Sequence, residues 1–389
     1  MNTHAKIQTA WDYIVGNVYN PDTRLIYDHK HAADPECFPT TEEVNASYPN
    51  SCGYGVGMED GMINGGTMID ACLCRYEKNG DEKALEFAHN LLGGMLNCIF
   101  NARTEGFVPR ACTPYDGKTS YVDSSRDQYT MFVFGAHRML YGGYCTAEEK
   151  ESLKKALTAI ARRAEKNVIP ENDYDILRDD GGRTLVNIMW GDTLDNHEYL
   201  RLPMIYIAAW EASGDDHWMD MYKKYREEAY EKSLTMSEYW HLYALQQMQA
   251  SVLVCMEADP DREWKEKYLK LMNIVADYIV GMVAKVEEDL SSYTNYNEKH
   301  VPFRKVEMTE SLRIKEIGLP CMVPNRDDTE EFFILQDAAN IIIVNSMAPG
   351  RETPKAAEEL YWKAFDKIDF SIHERVVPIH FIEAYYRMK

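Results

Sequence analysis

The segment Tyr121-Val-Asp-Ser-Ser-Arg-Asp-Gln-Tyr-Thr130 sets Asp127 behind two serines and Arg126, and ahead of an apolar run through Phe132, Val133, Phe134 and Ala136. That run reads as a helix, which puts Asp127 in its first turn. Free N–H groups and the helix dipole ease a carboxylate's charge there. Two roles fit the position. Asp127 is either a first-turn charge behind a Ser124 or Ser125 cap, or an acid/base group whose ionisation Arg126 sets.

A second candidate is Cys52-Gly-Tyr-Gly-Val-Gly-Met-Glu-Asp-Gly-Met-Ile-Asn-Gly-Gly66. It has neither a GK[ST] ending nor a preceding strand, so it is not a phosphate loop. Its glycines suit close backbone approach, and Glu59 and Asp60 at the next helix start are catalytic, sugar-binding or capping groups. A third is Trp190-Gly-Asp-Thr-Leu-Asp-Asn-His-Glu198, an indole among Asp192, Asp195, His197 and Glu198. An indole face stacks on a sugar while the polar groups take its hydroxyls, and Asp195 or Asn196 is the expected cap. A metal on His197 with Asp192 or Asp195 lacks recognisable ligand spacing.

The fourth is Trp240-His241, between Tyr239 and Tyr243. Aromatics at this spacing serve a core or line a cavity. Arg110, in Phe107-Val-Pro-Arg110, and Arg126 are the arginines best suited to hold a carboxylate. His380 lies on the last helical segment, and GxSxG, HExxH and dinucleotide fingerprints are absent.

Helical elements must position these groups. Apolar periodicity and cap signals predict helices at about 5–18, 60–78, 82–101, 126–141, 147–168, 196–213, 215–231, 236–257, 261–287, 328–347, 354–367 and 376–388. Residues 82–101 carry Leu85, Ala88, Leu92, Met95, Leu96 and Ile99 on one stripe. Thr146 with Glu149 reads as a capping box, and Thr353-Pro354 as a cap and first-turn proline. The run Asn340 to Val344 could pass for a strand, but its flanks are helical and no long alternation appears elsewhere.

Connections alternate in length. Short turns hold Gly, Pro and Asp at 78–81, 142–146, 213–214, 258–261 and 348–353. Long segments span 19–59, 102–125, 169–195 and 288–327, and only 234–237 precedes the eighth helix. This rhythm predicts an all-α chain, one domain over 1–389, built as an (α/α)6 toroid of six helical hairpins. The even helices would form the inner ring, with the site at their N-terminal ends. Glu59-Asp60, Arg126-Asp127, His197-Glu198, Trp240-His241 and Glu330-Glu331 would meet there.

The 389 residues are 45% hydrophobic and 27% charged, as in ordinary globular chains. A net charge of −21 argues against nucleic acid, yet local arginines can still hold an anionic sugar. Nine scattered cysteines without a CxxC pair suit a reducing cytoplasm, with Cys72 and Cys74 as small core residues. The N-terminus shows no basic start followed by an apolar run, which predicts no signal peptide, although a trimmed periplasmic chain would look the same. No apolar run approaches membrane-spanning length.

The hairpin count, the SSRDQYT start and LRLPMIYIAAWEASGDD at 200–216 together resemble the unsaturated glucuronyl and rhamnogalacturonyl hydrolases and related β-glucuronidases. The resemblance spans roughly 60–260 and implies a six-hairpin glycosidase. Asp127 falls on the family's first aspartate. Leu202-Pro203 sets the register that brings the second near His197, where this chain has histidine in place of the proton-donating carboxylate. The expectation is hydrolysis of a uronic-acid-containing oligosaccharide without a cofactor. Asp127 would be paired with Glu59 or Asp192 and tuned by His197. Asp60, Arg110, Arg126, Trp190, Glu198, Trp240 and His241 would bind substrate. Two alternatives are an epimerase of the N-acylglucosamine 2-epimerase kind, using His197 and His241 for proton transfer, and a non-catalytic toroid that binds a sugar or a protein.

Overall fold

The computed structural model describes residues 2–239, 241–293, 303–310, 322–324 and 331–388. Trp240, Glu330 and much of the predicted 288–327 segment lie outside the described residues. The described chain is mostly helical. Its first helices are α1 (Thr3–Tyr13), α2 (Thr41–Asn45), α3 (Gly61–Asn79), α4 (Glu82–Asn101), α5 (Arg126–Tyr141) and α6 (Ala147–Asn167). There follow α7 (Arg201–Ser213), α8 (Asp216–Ser233), α9 (Tyr243–Ala258), α10 (Arg262–Gly281) and α11 (Val283–Ser292). The last are α12 (Glu331–Met347), α13 (Lys355–Phe365) and α14 (Pro378–Arg387). Two short antiparallel ladders, Tyr19–Asn20 with Leu25–Ile26 and Met308–Glu310 with Met322–Pro324, occur where no strand is predicted.

Several sequence signals act as read. Thr146 and Glu149 form the reciprocal capping box that starts α6. Asn340 to Val344 is helical, inside α12. Ala88, Leu92, Met95 and Ile99 bury the inner stripe of α4. Other boundaries move. The predicted helix 196–213 begins only at Arg201, leaving His197 and Glu198 in the preceding turns. The predicted helix 236–257 begins at Tyr243, so the connection before it is longer than four residues. The predicted helix 261–287 is two, parted at Met282.

Contacts between helices can be followed in a closed order, although α5 also packs directly on α9 across it. α3 packs on α5, α5 on α7, α7 on α9, α9 on α12, α12 on α14, and α14 returns to α3. Outside these, α4 lies on α3, α6 and α8 on α7, α10 on α9 and α12, α13 on α12, and α1 on α14. Glycine makes one of these contacts possible. A Cβ on Gly66 would meet the Met131 carbonyl oxygen at 2.1 Å, so α3 and α5 cross at a distance no side chain permits.

Charge ties α14 to α3 and α5. Asp70 of α3, fully buried, accepts from Arg138 Nε of α5 and Arg387 Nε of α14, each at 2.7 Å. Burial works against the Asp70 carboxylate, but the two guanidiniums outweigh it and hold its pKa below the usual range. Glu383 lies alongside, accepting from Gln246 of α9 at 3.0 Å, and burial beside Asp70 drives its pKa well up. Cys98 and Cys112 are bonded to each other, which the scattered spacing did not predict. Cys72 and Cys74 are buried free thiols, as expected. Among the described residues no helix is long and apolar enough to cross a membrane.

Candidate functional site

The first turns of α3, α5 and α7 are joined side chain to side chain, and this junction holds most of the singled-out residues. At α3 the cap comes from a distant aspartate. Asp28 Oδ2 accepts the Glu59 N–H at 2.6 Å and the Asp60 N–H at 3.3 Å, while its Oδ1 accepts from Asn64 at 3.0 Å. Burial, with Asp60 and Glu59 close by, drives the Asp28 carboxyl well above the usual range despite these bonds.

Glu59 turns back on its own loop and accepts the Gly55 N–H. Gly53, Gly55 and Gly57 all adopt φ between +75° and +84°, the left-handed backbone that glycine tolerates. Asp60 instead keeps a 43% exposed side chain, with Arg110 Nη1 3.5 Å away. Gln128 of α5 donates to Asp60 Oδ1 at 2.9 Å and to the Glu59 carbonyl at 3.1 Å, which links the α3 start to the residue after Asp127.

Arg110 is 3% exposed, and its two terminal nitrogens donate within the chain. Their bonds go to the Glu59 carbonyl at 3.0 Å, the Tyr54 hydroxyl at 2.7 Å and the Ser124 carbonyl at 3.2 Å. Its guanidinium is therefore buried and occupied within the chain, unlike the open carboxylate-binding arginine the sequence suggested. Ser125 occupies the cap position of α5 without a side-chain cap bond, and the Ser124 hydroxyl donates to the Val108 carbonyl at 2.6 Å.

Asp127, with its side chain 27% exposed, is ion-paired with Arg201, which is 1% exposed. Burial pushes the Asp127 pKa up, but Arg201 and then Arg126 outweigh it and hold the carboxyl below the usual range. Asp127 is thus an anion near neutral pH. Arg126 pairs with Glu198 and donates to the Leu185 and Ile188 carbonyls at 3.2 and 3.4 Å. Glu198 Oε2 accepts the Asp195 N–H at 3.0 Å, and Glu198 Oε1 lies 3.7 Å from His197 Nε2. Burial first, then Arg201, brings the His197 pKa down to about 4, so its ring is neutral in the ordinary range.

A second junction lies at the starts of α9 and α12. His241 stacks on Phe333 with ring centroids 4.3 Å apart, and its Nδ1 is 3.6 Å from Asp337 Oδ2. Asp337 accepts the Leu242 N–H at 2.8 Å, and burial raises its pKa while His241 opposes the rise.

Other predicted members stand apart. Asp192 has a 95% exposed side chain on Lys232, so it is a surface ion pair and not Asp127's partner. Trp190 is buried edge-on against Tyr199 and Tyr225, making it a core aromatic whose ring face is not offered to a sugar. Asp195 and Asn196 do not cap α7, because Leu200 holds that position and Asn196 bonds the Tyr239 hydroxyl at 2.7 Å. His380 is buried at the start of α14, and burial brings its pKa down to about 3. Among the described residues no group of three His, Cys, Asp or Glu could hold a metal.

Sequence reasoning missed Asp28, Arg201 and Asp337. Arg201 left one trace, a lone charge inside the apolar run Leu200-Arg-Leu-Pro-Met-Ile-Tyr206. Asp28 left none, because 31 residues separate it from the helix it caps. No protein-family model matches the chain, and no curated protein matches it.

Proposed function

We propose that this protein is an (α/α)6 six-hairpin glycoside hydrolase that cleaves uronic-acid-containing oligosaccharides. Asp60 and Asp127 would be its carboxylate pair. The observation that carries the proposal is their shared setting. Each stands at the start of a helix and keeps a partly exposed side chain beside a buried arginine, and Gln128 links the two starts. Glycoside cleavage uses one carboxyl to protonate the leaving oxygen and another to stabilise or attack the anomeric carbon. Asp127, held ionised by Arg201, suits the second role. Asp60 takes the first, displacing Glu59 and Asp192 from the expectation, since one is tied to its own loop and the other sits in solvent.

The test is a panel of uronyl oligosaccharides, saturated and 4,5-unsaturated, with products followed by mass spectrometry. Wild-type protein should release a shortened sugar, and Asp127→Asn should lose at least about 100-fold in turnover. A wild-type protein that cleaves none of the panel would sink the reading. Solvent deuterium entering an intact free sugar would redirect it to epimerisation at His197.

A further inference from the structure

We infer that Arg126 is the residue that selects a sugar carboxylate, and that Glu198 is its resident counter-ion, displaced when the carboxylate binds. This rests on the hydrolase reading and names the feature of the substrate that the site selects.

Three arginines meet at the junction, and they differ in what they can release. Arg110 is 3% exposed and bonded to two backbone carbonyls and a tyrosine hydroxyl, none of which an anion could replace without unpairing buried groups. Arg201 is 1% exposed and holds Asp127, so a sugar carboxylate on it would displace the proposed catalytic anion. Arg126 is 20% exposed, the most open of the three, and its charge is met by Glu198 alone among its bonded neighbours. The Leu185 and Ile188 carbonyls hold one edge of the guanidinium, so it stays in place when its anion changes.

Glu198 is the anion to be exchanged, with its own side chain 6% exposed. It sits in the turns before α7, outside the helix that fixes Arg201. On leaving Arg126 its Oε1 would turn to the neutral His197 ring, whose Nε2 is 3.7 Å away, while the Asp195 N–H keeps its other oxygen. A sugar carboxylate carries the charge and planar geometry that Glu198 now presents to Arg126. Binding is then an exchange of like anions on one fixed cation, and a neutral hexose cannot make it. Glu198 thus weakens uronate binding while rejecting neutral sugars.

The experiment measures dissociation constants for methyl β-D-glucuronide and methyl β-D-glucoside by calorimetry, on wild type, Glu198→Gln, Glu198→Ala and Arg126→Met. Melting temperatures check that each variant folds. Removing the competing anion should tighten the glucuronide by up to about fivefold in both Glu198 variants, the scale of one partly exposed ion pair, and leave the glucoside unchanged. Arg126→Met should abolish the preference between the two sugars. If wild type cleaves uronyl oligosaccharides but folded Glu198 variants bind glucuronide no better, the exchange is wrong and the hydrolase stands. If wild type binds neither sugar and cleaves no uronide, both fall.

Discussion

Arg201 and Asp127 form an ion pair in which the cation is sealed and the anion is not, with side chains 1% and 27% exposed. The pair ties the first turn of α5 to the first residue of α7, so the same bond sets the ionisation of Asp127 and the approach of two helices. The proposed activity and the stability of the fold are therefore linked at this residue.

Asp127→Asn should lose activity and also stability. Neutralising it leaves the Arg201 charge without its anion, at a cost of about 2 kcal/mol. Adding Arg201→Met should restore the melting temperature without restoring turnover. Thermal scans beside the uronide assay check this. An Asp127→Asn protein as stable as wild type would contradict the pairing.

Asp60 and Asp192 should separate cleanly. Asp60→Asn is expected to reduce turnover about 100-fold or more at an unchanged fold, as loss of an acid/base group does. Asp192→Asn removes only an exposed contact to Lys232 and should change turnover by less than about twofold. Equal effects of the two changes would refute the choice of Asp60.

Alkaline pH should loosen the opposite helix ends. His137 of α5 is fully buried, with Nδ1 2.7 Å from Glu211 of α7 and Nε2 2.9 Å from Glu257 of α9. Burial opposes its charge, but the two carboxylates prevail and raise its pKa to about 9. A folded pKa above the unfolded value means stabilisation that is complete below about 6.5 and lost as pH rises through about 9. That contribution is on the order of 3 kcal/mol. Melting temperatures from pH 6 to 10 should fall for wild type and stay flatter for His137→Gln.

Acid should act through three other histidines. Burial is the leading cause that brings His197 and His373 to about 4 and His380 to about 3. Each is neutral in the fold and takes up a proton when unfolded. Their stabilisation is full above about 6.5 and is lost as pH falls toward 4, by up to about 1.4 kcal/mol per pH unit for each group. His380→Leu should flatten this limb, as urea midpoints between pH 7 and 4 would reveal. An unchanged slope would place the acid sensitivity elsewhere.

The chain by itself determined most of the long helices but not all their ends, because apolar periodicity, the Thr146 capping box and the glycine turns are local properties of neighbouring residues. It also determined that Glu59, Asp60, Arg126 and Asp127 stand at helix starts. Only the tertiary structure decided their partners. Asp28 caps a helix 31 residues away, and Arg201 reaches Asp127 across 74. Such pairings depend on which helix ends packing brings together, and no local pattern encodes that. The same packing put Trp190 in the core and Asp192 in solvent, although the two are close neighbours in the chain and looked equally fit for a sugar.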